Sequence, residues 1–154
     1  MLNKDAIEKL VVLEEKYGLD ALLIAPSADL QFFMGFSPYL CERFQGLFVK
    51  KNGECFYIAN LLSKEEIAKE LKPDGRIYSW WDGDDYVEVV SQILEKEGLK
   101  NKVIGTSESV RAFHVLNIMQ HFPVRFTSAR DLLDETRIHK SKDELDSLRK
   151  AAEI

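Results

Sequence analysis

Ala21-Leu22-Leu23-Ile24-Ala25 is an unbroken apolar run, preceded by Gly18-Leu19-Asp20 and followed by Pro26-Ser27. A short run without polar alternation reads as a strand buried on both faces. Such a strand belongs at the centre of a sheet covered by helices, the arrangement usual for parallel sheets. Working outward, Ala6, Leu10, Leu13 and Tyr17 recur at helical spacing, and Gly18 supplies the stop. On the other side, Ser27 is placed to cap a short turn of helix through Phe33, which Gly35 ends.

The next segments set the sheet type. Gly46-Leu-Phe-Val-Lys50 and Glu54-Cys-Phe-Tyr-Ile-Ala59 are two strands joined through Lys51 and Asn52-Gly53, a pair that favours a type I′ turn. Ser63 and Glu66 have capping-box spacing, opening a helix that stops near Lys72-Pro73-Asp74-Gly75. Arg76–Trp80 reads as a strand. Tyr86, Val89, Val90, Ile93 and Leu94 form the apolar face of a helix ending at Gly98. Lys102–Gly105 is the next strand, Ser107 or Glu108 to Gln120 the next helix, and Val124–Phe126 the last strand. Alternation of strands and helices implies α/β architecture, and the hairpin forces an antiparallel pair into the sheet. The expectation is a three-layer fold: a mixed sheet of about six strands with helices on both faces.

Composition narrows the function classes. The chain has 154 residues, 45% hydrophobic and 31% charged, the profile of one globular domain with a proper core. The formal charge of −5 argues against nucleic acid as a partner, because a phosphate-binding face shows as a basic excess. No apolar run approaches the roughly 18 residues of a membrane span, and the N-terminus lacks the pattern of a signal peptide. The reading is a cytoplasmic protein in which Cys41 and Cys55 remain thiols. The cysteines form no C-x-x-C motif, and His114, His121 and His139 are not spaced as a zinc pair, so no metal site is expected in this chain.

The last stretch carries the most specific signal. Ser141 followed by Glu144 is a capping box, and Leu145, Leu148 and Ala152 lay out one apolar helical face with no stop signal after it. The run Arg137-Ile-His-Lys140-Ser141-x-x-Glu144-Leu-x-x-Leu148-Arg149-Lys150-Ala151-Ala152 resembles the inter-domain signature of the creatinase, prolidase and aminopeptidase P family. In that family an Arg-x-x-Lys-Ser/Thr-x-x-Glu run leads into the first helix of the pita-bread metallopeptidase domain. A second resemblance lies upstream. Asp29-Leu-Gln-Phe32-Phe33-Met34-Gly35-Phe36 is similar to the family's Asn-x-x-Tyr-Leu-Thr-Gly-Phe segment, with Asp29, Phe32 and Met34 as departures. Gly18-Leu-Asp20-Ala-Leu-Leu-Ile24 before it resembles the family's Gly-x-Asp-Ala-Leu-Leu strand.

The resemblance implies a ribonuclease H-like topology, with residues 1–136 as the N-terminal domain and 137–154 as linker and start of the first helix of a further domain. It implies a non-catalytic role in a cytosolic Xaa-Pro dipeptidase or aminopeptidase P-like enzyme: dimer contact, control of active-site access and substrate lining. The divalent metal pair (Mn, Co or Zn) that such enzymes use belongs to the C-terminal domain, so this chain alone is expected to be inactive. Expected partners are that domain, a second copy in a homodimer, and short proline-containing peptides, without nucleic acid or membrane. Two alternatives stay open: a non-enzymatic protein- or peptide-binding module of the same fold, and the N-terminal domain of a creatinase-like amidinohydrolase.

Within the chain, Phe32 to Phe44 is dense in aromatic residues yet interrupted by Gly35 and Pro38, so part of it is an irregular loop suited to recognition. In relatives the loop after the Gly-Phe pair reaches across a dimer, which makes Phe36, Tyr39 and Arg43 candidates for lining a substrate pocket in trans. An arginine there is able to take a peptide carboxylate bidentately. The acidic run Asp82-Gly83-Asp84-Asp85 reads as helix capping rather than as a metal loop. Of Trp80 and Trp81, one should enter the core and the other stay partly exposed.

Overall fold

The computed structural model describes residues 1–71, 75–138, 140 and 142–153. Six strands, β1 Ala21–Ile24, β2 Gly46–Lys50, β3 Cys55–Asn60, β4 Arg76–Trp80, β5 Val103–Thr106 and β6 Arg125–Ser128, form one sheet in the order β4-β3-β2-β1-β5-β6. β1 pairs antiparallel with β2 and parallel with β5; β2 and β3 are antiparallel, while β3–β4 and β5–β6 are parallel. This is the expected three-layer α/β fold with a mixed sheet and ribonuclease H-like topology.

The apolar run at β1 explains the layering. Leu22 and Ile24 enter a core shared with α1 (Lys4–Lys16), α2 (Ala28–Met34), α3 (Lys64–Leu71) and α6 (Arg130–Ile138). Ala21 and Leu23 enter the opposite core, built with α4 (Tyr86–Lys96) and α5 (Ala112–His121). Successive side chains of a strand point to opposite faces, so every residue of β1 is fully buried. Close approach is required at Gly105 in β5, where a Cβ would stand 2.6 Å from Leu19 Cδ1 and 2.8 Å from the Ala129 Cβ.

Several local expectations need correction. The β2–β3 turn is not type I′, which demands positive φ at two central residues. Among the described residues Asn101 is the one non-glycine residue at positive φ, so Asn52 is excluded; only Gly53, at φ +83°, is left-handed in this loop. With Gly53 N–H donating to Lys50 O and Lys50 N–H to Glu54 O, Lys51-Asn52-Gly53 forms a three-residue loop. The approach to α3 is made by a 3-10 turn, Leu61–Ser63, whose cap is Asn60: its Oδ1 accepts from Leu62 N–H at 3.1 Å, ahead of the expected Ser63. The expected stop of α3 falls partly on residues 72–74, outside the described residues.

α5 starts at Ala112 rather than at Ser107 or Glu108. Ser107 is already engaged, with its N–H on Leu23 O at 2.9 Å and its Oγ accepting from Ala25 N–H at 3.1 Å, so it prolongs the pairing of β5 with β1. On α1 the buried face takes Ile7 and Glu14 along with Ala6 and Leu10, while Tyr17 is exposed. α6 was not anticipated. It packs on α1, where Lys16 and Tyr17 both bond the Glu135 carboxylate at 2.8 Å, and it runs through Arg137 to Ile138. Arg137 pairs with Asp29 of α2 and stacks over the Phe32 ring.

Ser141, expected to cap the last helix, lies outside the described residues. From Lys142 to Ala152 the chain is helical (α7), with Leu145 and Leu148 on an exposed face.

Candidate functional site

The aromatic loop follows from how α2 is closed at both ends. Ser27 Oγ accepts from Leu30 N–H at 3.2 Å, and Gly35 ends the helix at φ +72°, a conformation a side chain resists. Ser27 N–H then donates to Ser37 Oγ at 3.0 Å, which ties the loop's start to the helix's start. Phe33 is fully buried, and Phe32 and Phe36 pack partly buried against the same core. Pro38 leads into an irregular stretch that returns to the sheet at Gly46.

Four side chains hold that stretch. Gln45 Nε2 donates to Tyr39 O at 3.2 Å, and Trp80 Nε1 to Phe44 O at 2.9 Å. His114 Nε2 lies 2.9 Å from Glu42 O, and Arg43 is forked onto Asp82. A carbonyl only accepts, so His114 carries its proton on Nε2; Nδ1 then accepts from Tyr86 O–H at 2.9 Å. Burial depresses the His114 pKa, favouring this neutral form. The Phe44 and Tyr86 rings meet the imidazole edge-on at 5.5 and 5.2 Å, and Trp80 packs on Tyr86.

Arg43 Nε is 2.9 Å from Asp82 Oδ1 and Nη2 is 2.8 Å from Oδ2, while Nη1 reaches Glu42 Oε1 at 3.0 Å. Asp82 also accepts from Asn60 Nδ2 at 2.8 Å. The bond from Arg43 and its charge hold the Asp82 carboxyl below the usual carboxylate range. Asp82 is therefore a partner of the loop and not a helix cap, which corrects the reading of the acidic run. Asp85 is the cap of α4, accepting from Val87 N–H at 3.0 Å, and Asp84 accepts from Trp81 N–H at 2.8 Å. As expected of the tryptophan pair, Trp80 is 7% exposed and Trp81 59%.

Beside the loop lies a cleft of about 510 Å³, lined by the rings of Phe44, Trp80, Tyr86, Phe113 and His114 and by the charged Glu42, Arg43, Asp82, Asp84 and Arg111. The three sequence candidates thus have different fates. Arg43 lines the cleft with its fork occupied, Tyr39 projects from the loop at 88% exposure, and Phe36 turns toward the core on the other face of the sheet. Asn60, Asp82, His114 and Arg111 were missed. Their sequence spacing carries no signal, since strand ends and a helix start bring them together. Among the described residues no group of three or more His, Cys, Asp or Glu side chains is arranged to hold a metal ion, and no helix is long and apolar enough to cross a membrane.

The mixed sheet, its two helical layers and the aromatic loop after α2 define the class of domain, and comparison with known proteins agrees. Residues 7–139 match the creatinase/prolidase N-terminal domain, and the chain belongs to that family. It is 31% identical over 138 residues to a probable dipeptidase PepE of Mycobacterium tuberculosis; the match takes in 87% of this chain and 36% of the relative. The dipeptidase PepE of Mycobacterium ulcerans superposes with a TM-score of 0.81 at 26% identity, over 96% of this chain and 39% of that one. A recombinant prolidase of Thermococcus sibiricus gives 0.83 at 23% identity, over 99% of this chain and 41% of that one, which speaks to fold alone. The chain thus spans well under half the length of these relatives.

Proposed function

We propose that this chain is the N-terminal domain of a cytoplasmic Xaa-Pro dipeptidase-like metallopeptidase, serving dimer contact, active-site access and substrate lining. The observation that carries the reading is the 31% identity to a probable dipeptidase over 87% of the chain, with only 36% of that relative covered. Residues 137–154 act as linker and opening helix toward the catalytic domain. The exposed Leu145 and Leu148 of α7 support that assignment, being an apolar face with a surface still to cover. Cys41 and Cys55, both thiols, accord with a reducing compartment.

A divalent metal pair activates water and stabilises the oxyanion in such hydrolysis. The described residues of this chain do not fit it, so catalysis is assigned to the other domain. Here Phe36, Tyr39 and Arg43 serve the neighbouring subunit's pocket: Tyr39 as the projecting contact, Arg43 as the wall that Asp82 keeps in place, Phe36 as the anchor of the loop's base.

The test is an assay of the full-length protein on Xaa-Pro dipeptides with added Mn²⁺ or Co²⁺, beside the 154-residue chain. Turnover by the former alone is expected; metal-dependent turnover by the chain alone overturns the division of labour. In the full-length enzyme, Tyr39→Ala with Arg43→Ala should lower kcat/KM, and an unchanged value removes the lining role.

A further inference from the structure

The cleft beside the loop contains one guanidinium that is taken and one that is not. Arg43 already directs Nε and Nη2 to Asp82 and Nη1 to Glu42. Arg111, at the edge formed by the start of α5, makes no ion pair among the described residues, and its side chain does not cap the helix. The carboxylates divide the same way. Asp82 and Glu42 share the single charge of Arg43, whereas the Asp84 carboxylate accepts from the backbone N–H of Trp81 and makes no ion pair among the described residues. The same cleft is lined by the rings of Phe44, Tyr86 and Phe113 and the neutral imidazole of His114. The volume, about 510 Å³, is within the range of small-molecule sites.

One unpaired cation and one unpaired carboxylate on the rim of an aromatic cleft complement a ligand with both charges and an apolar body. We propose that this cleft binds a small zwitterion, a free amino acid or dipeptide carrying a ring or other apolar group. Its carboxylate sits on the Arg111 fork, its ammonium faces Asp84, and its apolar part lies against Phe44, Tyr86 and Phe113. Arg111, and not Arg43, is then the carboxylate-recognising arginine, because the charge of Arg43 and its Nε/Nη2 face are already committed to Asp82, with Nη1 on Glu42. The proposal deepens the peptidase reading by naming a peptide-recognising site, but it needs no catalysis by this chain.

The experiment is a ¹⁵N-NMR titration of the 154-residue chain with Ala-Pro, free proline, N-acetyl-Ala-Pro and Ala-Pro amide. Saturable shifts at residues 42–44, 84–86 and 111–114 are expected with the zwitterions, and whether Ala-Pro or proline binds more tightly fixes the ligand's length. Blocking either terminus, or Arg111→Gln, should weaken binding about tenfold. Arg111 and Asp84 are exposed, so the spectra of Arg111→Gln and Asp84→Asn should otherwise superpose on the parent. Non-saturating shifts, equal binding of the amide, or full binding by Arg111→Gln overturn the proposal. Loss of hydrolysis in the full-length enzyme leaves this titration unaffected, so failure of the peptidase reading and failure of this site are told apart.

Discussion

Arg43 and Asp82, 39 residues apart in sequence, meet in a two-pronged ion pair, Nε to Oδ1 at 2.9 Å and Nη2 to Oδ2 at 2.8 Å. Asn60, at the end of β3, donates to the same carboxylate and fixes its orientation. The pair joins the aromatic loop to the turn after β4. With His114 and Trp80 holding the carbonyls of Glu42 and Phe44, the loop is fixed at three successive residues while Tyr39 stays free of the core.

Asp82→Asn removes the charge that makes both prongs strong and leaves an amide whose NH₂ faces a donor. The loop should loosen without loss of the fold. Hydrogen exchange at residues 40–44 is expected to accelerate in the variant while β1 and β2 remain protected. Unchanged exchange there means that the carbonyl anchors suffice alone.

Glu14 is a buried carboxyl without compensation. It is fully buried on α1, neither carboxylate oxygen has a hydrogen-bond partner among the described residues, and burial, with the charge of Asp20 adding to it and Lys51 opposing, pushes its pKa from 4.5 to about 8. Below pH 4.5 folded and unfolded chains both hold the proton and the group is neutral to stability. As pH rises from there, the unfolded chain releases the proton and the folded chain keeps it. Stability therefore falls until about pH 8, by on the order of 5 kcal/mol. Glu14→Gln should abolish this component, and urea unfolding across that range will show a flatter profile than the parent. A parent and variant with equal slopes would place Glu14 outside the linkage.

Gly105→Ala tests the packing of the centre. The added methyl meets Leu19, Leu22 and Ala129 within 3.0 Å, and its neighbours belong to a strand and a helix start that cannot both retreat. A loss of about 1–3 kcal/mol is expected, read as a lower denaturation midpoint with unchanged m-value. A neutral result means that α6 is free to shift outward.

The two tryptophans give a direct optical check. Trp81 should be quenched by acrylamide and Trp80 shielded, so Trp81→Phe is expected to remove the accessible fraction of emission. Trp80→Phe should cost about 1–3 kcal/mol, because it leaves the Phe44 carbonyl unpaired in the core.

The elements whose information is local were legible in the sequence. β1 announced itself by four consecutive residues that pack on both faces, α2 by Ser27 and Gly35, and β4 by its full span Arg76–Trp80. Errors gathered where a distant partner decided the outcome. Ser107 reads as a helix start until β1 offers it Leu23 O and Ala25 N–H. Asp82 reads as a cap until Arg43 arrives. Glu14 sits at an ordinary charged position on α1, and nothing nearby in the chain says that it is covered.

What the sequence determined by itself is therefore the kind of domain: period, caps and turns are written within a few residues of where they act, and the family motif lies in two short runs. What only the tertiary structure decided is which side chains are left to bind. Arg43 and Arg111 are equivalent as letters, and so are Asp82 and Asp84. The return of the chain across the sheet pairs Arg43 with Asp82 and leaves Arg111 and Asp84 on the rim, because charge pairing depends on separation through space, which sequence spacing does not encode.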